Sequence, residues 1–167
     1  MANHCPFCYV NLGMKKTILL ISAICALLAF GVQSSSAQSK KKTNAEWKKI
    51  LTPDQYEIMV QRGTEPAYNN AYWNNHEKGI YVSAATGEVL FSSDDKYDSH
   101  TGWPSFVKPV DPSKIAIVTD NSYGMTRDEV IEKSTGLHLG HVFDDGPADR
   151  GGKRYCMNSA ALKFIKK

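Results

Sequence analysis

The sequence predicts a mainly β fold, with one or two short helices in front of antiparallel sheets. Three observations carry this prediction. Beyond Gly63, short apolar runs alternate with turn residues such as Thr86-Gly87, Asp94-Asp95, Asp144-Asp145-Gly146-Pro147 and Arg150-Gly151-Gly152. No long 3.6-residue period recurs along that stretch, and no internal repeat is visible. Helix-start chemistry is confined to the segment before it. The chain has 167 residues and a formal charge of +3, one domain's worth and enough for a hydrophobic core.

The first element is a helix opened by Thr52-Pro53-Asp54-Gln55, with Thr52 as N-cap and Pro53 at the first helical position. Tyr56, Met59 and Val60 fall on one side, and Gly63 supplies the stop. A shorter helix is expected around Glu46 to Leu51. The strands then follow as Gly79–Ser83, Glu88–Phe91, Ile115–Val118, Arg127–Lys133, His138–Phe143, Arg154–Asn158 and Ala161–Ile165.

The front of the chain reads differently. Met14-Lys15-Lys16, an apolar run from Thr17 to Phe30, and Gly31 to Ala37 form the n-region, h-region and small-residue site of a secretory signal. The apolar run falls short of the roughly 20 residues of a bilayer span; an uncleaved anchor is the alternative. Residues 1–13 read as an over-extended start, residues 14–37 as the signal peptide, 38–44 as a basic solvated linker, and 45–167 as the folded domain. Export to a secreted or periplasmic location follows. The exported remainder is close to neutral, which gives no electrostatic reason to expect nucleic acid as partner. No stable membrane contact is expected after cleavage.

Of the four cysteines, Cys5, Cys8 and Cys25 lie in the segments expected to be absent or removed, which leaves Cys156 alone. Cys5 and Cys8 form a C-x-x-C, but no second pair exists to complete a four-ligand metal site. Cys156 sits in Arg154-Tyr155-Cys156-Met157-Asn158-Ser159. Strand alternation places Arg154, Cys156 and Asn158 on one face, with Tyr155 and Met157 on the other. A guanidinium beside a thiol favours the thiolate; the plainer alternative is a small buried apolar residue.

Two further blocks carry chemistry. His138-Leu139-Gly140-His141-Val142-Phe143 has histidines at i and i+3, which a regular strand points to opposite faces. Gly140 permits a bulge that turns both rings toward one pocket. Histidine suits proton donation near neutral pH. In Ser99-His100-Thr101-Gly102-Trp103-Pro104-Ser105-Phe106, Pro104 keeps Trp103 extended and Gly102 lets the chain turn before it. An indole fixed there is either a pocket wall or a core anchor.

In order along the chain, Gly63-Thr64-Glu65, Lys96-Tyr97-Asp98-Ser99, Gly102–Phe106, His138–Phe143 with Asp145-Gly146-Pro147, and Arg154–Ser159 resemble the B-type methionine sulfoxide reductases. The resemblance runs from about Trp47 to the C-terminus. It implies two antiparallel β-sheets packed in a single domain with N-terminal helices, and thiol-dependent reduction of the R epimer of peptide-bound methionine sulfoxide. By motif position Cys156 is the nucleophile and Trp103 holds the S-methyl group. His138, His141, Arg154 and Asn158 complete the polar pocket, and Phe143 adds an apolar wall. His141, helped by His138, protonates the departing oxygen, which leaves methionine and a Cys156 sulfenic acid.

The sequence departs from that family at two places. Where many members carry zinc-binding C-x-x-C pairs, it has Ser83 and Thr86, then Glu132 and Thr135, so no zinc is expected. Where many carry a resolving cysteine it has His100 and Thr101, so Cys156 is expected to depend on an external thiol or a thioredoxin-like partner. Oxidised proteins and peptides are the implied substrates. Two competing readings use the same residues: a cysteine–histidine hydrolase or transferase, and a secreted β-domain that binds methionine-rich or oxidised surfaces without turnover.

Overall fold

A computed structural model describes Met1 and residues 41–167. The expected start, signal peptide and most of the linker lie outside the described residues. Two helices, α1 (Asn44–Ile50) and α2 (Pro53–Met59), precede nine strands: β1 (Gly79–Ser83), β2 (Val89–Ser92), β3 (Lys96–Tyr97), β4 (Ser105–Phe106), β5 (Ile115–Asp120), β6 (Arg127–Glu132), β7 (His138–Phe143), β8 (Arg154–Met157) and β9 (Leu162–Lys166). They form two antiparallel sheets, ordered β2-β1-β9 and β3-β4-β8-β7-β6-β5. The mainly β architecture with two short helices is the one expected.

Three local expectations are corrected. The linker reading to Asn44 runs too far: Thr43 and Glu46 form a capping box, so α1 already begins at Asn44. Helix α2 does start at Pro53 under the Thr52 cap, but Gly63 is not its left-handed stop. Arg62 takes that conformation, with φ of 60°, and the Gly63 N–H reaches Glu57 O. Tyr56 and Val60, half-buried, pack with buried Met59 against the core as expected, and Ile58 is buried there too. Finally, β3 and β4 were not anticipated, since two residues cannot display an alternating pattern.

The core explains the orientation of the site. Tyr81 and Phe91 of the small sheet meet Phe106 of the large sheet, with Phe91 stacked on Phe106 at 4.5 Å and Tyr81 edge-on at 5.0 Å. Phe106 pairs with Tyr155 across β4 and β8, and Tyr155 lies 6.0 Å from Phe91. Alternation along each strand therefore sends Ser105 and Cys156 to the opposite face of the large sheet. Burying such aromatic side chains is worth roughly 2–3 kcal/mol each, which fixes that face assignment firmly.

Residues 83, 86, 132 and 135 also come together, on the turns after β1 and β6. The buried Glu132 carboxylate accepts from Thr86 Oγ1 and, at 2.7 Å, from Thr135 Oγ1, while Ser83 Oγ accepts from Ala85 and Thr86 N–H groups. One carboxylate and three hydroxyls do not fit a zinc site, which draws on thiolate, imidazole and carboxylate donors. Among the described residues no group of three or more His, Cys, Asp and Glu is placed to hold a metal.

Candidate active site

Strand β8 carries Cys156 and strand β7 carries His141, and the two residues pair directly in the ladder. Gly140 makes this approach feasible: a Cβ there would lie 2.2 Å from Cys156 O and 2.8 Å from Met157 Cα. The expected bulge is present. Val130 pairs with Gly140 but Ile131 pairs with His138, so Leu139 is the extra residue. The bulge returns His138 to the face of His141, and the two rings meet edge to face at 5.3 Å.

Cys156 opens into a pocket of about 120 Å³ lined by Trp103, Arg127, His141, Phe143 and Asn158 together with Thr64, Gly140 and Met157. Burial pushes its thiol above the ordinary range; the Arg154 guanidinium and the hydroxyls of Thr101 and Ser105 oppose that shift without reversing it. Arg154 does favour the thiolate, as expected, but desolvation of the sulfur outweighs it. Arg154 is in any case committed elsewhere. Its Nε and a terminal nitrogen fork onto both Asp145 oxygens at 2.8 Å, and its guanidinium lies 4.3 Å from the Phe143 ring centroid.

The two histidines have different environments. His138 is buried, with Nδ1 2.8 Å from Glu129 Oε1 and Nε2 facing Asn158 Nδ2 at 3.4 Å. Burial lowers its pKa to about 4, with the neighbouring His141 and Arg62 adding to the effect. The neutral ring therefore donates from Nδ1 to Glu129 and accepts at Nε2 from Asn158. Glu129 is itself pushed up by burial, partly offset by Arg62, whose guanidinium lies 3.2 Å away. His141 instead binds Asp120 through Nε2 at 2.9 Å. Hydrogen bonds from Ser122, and then from His141, hold the Asp120 carboxyl well below the usual range, and Arg127 pairs with it at 2.7 Å. An ionised Asp120 fixes the Nε2–H tautomer of His141.

Asn158 lies just beyond β8 rather than within it, correcting the strand expectation by one residue. Its amide donates to Leu139 O at 3.2 Å and its oxygen accepts from the Glu65 N–H. Trp103 is held by its indole N–H donating to Glu65 O at 3.0 Å. Glu65 in turn accepts from the Ser159 and Ala160 N–H groups, which ties the 64–66 segment to the turn after β8.

All seven predicted residues gather in one place: Cys156, His141, Asn158, Trp103 and Phe143 in the pocket wall, His138 and Arg154 directly behind it. Sequence reading missed Asp120, Arg127, Glu129, Thr101 and Ser105. Glu129 and Arg127 lie in a run read only as strand, and nothing in their spacing announces that they face the histidines. Ser105 stood inside a quoted motif, yet its pairing with Cys156 needs the unforeseen β4.

Comparison with known proteins gives the same answer from a different direction. Residues 51–166 match the SelR domain family. A peptide methionine sulfoxide reductase MsrB of Leptospira interrogans serogroup Icterohaemorrhagiae serovar Lai (strain 56601) is 54% identical over 125 residues, covering 75% of this chain and 95% of that protein. With its two antiparallel sheets, its Cys156–His141 pair and this match across nearly the whole folded domain, the chain belongs to the SelR-domain family, the B-type methionine sulfoxide reductases.

Proposed function

We propose that this protein reduces the R epimer of peptide-bound methionine sulfoxide to methionine, as a repair enzyme, with Cys156 as its nucleophile and redox centre. The observation that carries this reading is the pairing of Cys156 with His141 in a small pocket walled by Trp103. Trp103 and Phe143 offer apolar surface to the S-methyl group, while His141 and Arg127 of the same lining supply donors for the sulfoxide oxygen. A pocket apolar on one side and donating on the other selects one configuration at sulfur.

Cys156 attacks the sulfoxide sulfur as thiolate. His141, its charge compensated by Asp120 when it carries a second proton, protonates the oxygen. The net step moves oxygen from methionine sulfoxide to the cysteine, giving methionine and a sulfenic acid. His138 is a positioning residue: held neutral by burial, it orients Asn158 and with it the segment bearing Trp103. One external thiol then condenses with the sulfenic acid, releasing water and leaving a mixed disulfide. A second thiol releases Cys156, and the two donors leave as a disulfide. A small thiol or a thioredoxin-like protein fits this role, because Cys156 is the free cysteine of the described residues and Thr101 occupies the adjacent position toward Trp103.

The signal-like segment 14–37 supports action outside the cytoplasm, secreted or periplasmic. The Glu132–Thr86–Thr135 cluster supports a fold that works without zinc. The deciding experiment incubates the full chain with each epimer of a methionine sulfoxide peptide. With dithiothreitol, the R epimer is turned over; without thiol, one methionine forms per chain and Cys156 gains one oxygen by mass. Turnover of the S epimer alone, or reduction that survives Cys156→Ser, would overturn the reading. Peptide cleavage in place of reduction would favour the hydrolase.

A further inference from the structure

The pocket at Cys156, about 120 Å³, has room for the end of one side chain. A methionine sulfoxide inside a polypeptide must therefore lay its neighbours across the rim. On one side the rim is the loop joining β5 and β6. Its two ends are part of the site: Asp120 holds His141, and Arg127 lines the pocket and pairs with Asp120. The Ser122 N–H donates to Asp120 at 2.9 Å, Arg127 donates to Ser122 Oγ at 3.2 Å, and Thr126 Oγ1 donates to Asn121 at 3.1 Å. The base of the loop is thus pinned. Its tip exposes Tyr123 and Met125, at 83% and 50% of their surface.

Beside Gly102, next in the chain to Trp103 of the pocket wall, stands Tyr68, also more than half exposed. Its N–H donates to Gly102 O at 2.8 Å and its hydroxyl to His100 O at 2.5 Å. Both tyrosines have left-handed backbones, with φ of 60° at Tyr68 and 54° at Tyr123. That conformation costs a bulky residue about 1–2 kcal/mol. Two strained, exposed aromatic residues, each next to a segment that lines the pocket, are poor choices for a surface that only meets water.

We propose that Tyr123 and Met125, together with Tyr68 beside Gly102, form a docking rim for apolar residues flanking methionine sulfoxide in an extended polypeptide. The inference rests on the reductase reading above. Aromatic and thioether surfaces favour apolar contact, and Asp120 and Arg127, at the two ends of the loop, are paired with each other.

The test compares two substrates with dithiothreitol as reductant: N-acetyl methionine R-sulfoxide, and an unstructured peptide carrying the same group between leucine or valine neighbours. The variant is Tyr123→Asn with Met125→Gln, asparagine being tolerant of the left-handed backbone. For the peptide, kcat/KM is expected to fall about 5–10-fold, mainly through KM, while the amino-acid substrate stays within about twofold. Equal effects on both substrates, or none on the peptide, overturn the rim alone. A wild-type chain that reduces neither substrate overturns the reductase reading and the rim with it.

Discussion

Cys156 and His141 stand directly opposite one another on neighbouring strands, their Cα positions paired in the β7–β8 ladder. The same rung extends both ways: Ser105 pairs with Cys156, Tyr97 with Ser105, and Glu129 with His141. Directly opposed residues share a face and lie about 5 Å apart at Cβ. Thiol, imidazole, hydroxyls and carboxylate are thereby set in line by backbone hydrogen bonds alone. Replacing Cys156 with Ser should reduce turnover of the R-sulfoxide peptide at least about 10³-fold, and His141→Asn about 10²–10⁴-fold. Far-ultraviolet circular dichroism should be unchanged for both.

The raised pKa of Cys156 has its own consequence. Iodoacetamide should react with the wild-type thiol along a pH profile whose midpoint lies above the usual thiol value of about 8.5. Because Arg154 opposes the burial effect, Arg154→Met should move that midpoint higher and slow alkylation at pH 8. A midpoint below neutrality would contradict the dominance of burial.

His138 links stability to acid. Its folded pKa of about 4 lies below the ordinary 6.5, so the unfolded chain binds its proton first as pH falls. The His138 contribution is fully present above about 6.5 and is lost between there and about 4, by at most about 3 kcal/mol. Glu129, whose pKa is raised, works in the opposite sense. Urea midpoints at pH 7 and pH 4.5 should therefore differ more for wild type than for His138→Gln. An equal difference would show that the imidazole takes up its proton without unfolding.

Gly140 has no room for a methyl group against Cys156 O and Met157 Cα. Gly140→Ala should cost about 1–3 kcal/mol in urea denaturation, and should lower activity more than the loss of folded protein explains. The second effect follows because the strain falls on the backbone that carries the thiol.

The cluster around Glu132 predicts indifference to chelators and sensitivity to side-chain loss. Prolonged EDTA treatment should leave the melting temperature unchanged. Glu132→Ala should destabilise the fold by roughly 1–3 kcal/mol, since it removes a buried carboxylate that accepts from the hydroxyls of Thr86 and Thr135.

Much of this was legible in the sequence because the residues with distinctive chemistry sit in compact motifs. Cys156, the two histidines and Trp103 announced themselves, and Gly140 signalled the bulge. The partners that tune them did not. Asp120 closes a strand that reads as apolar, and Glu129 belongs to an ordinary charged alternation. Their roles depend on a register that sequence periodicity does not specify. Arg154 shows the other limit: its proximity to the thiol could be read, but the Asp145 fork and the degree of burial could not, and burial decides the sign of the shift.

The bulge at Leu139 makes the site depend on how many residues each strand contains as well as on which they are. Parity is what brings His138 to the side of His141. Deleting Leu139 would give a regular ladder with His138 two residues before His141 and still on its face, but would remove the carbonyl that accepts from both the backbone and the side-chain N–H of Asn158. A side-chain substitution at Leu139 would keep that carbonyl in place, whereas its deletion would not.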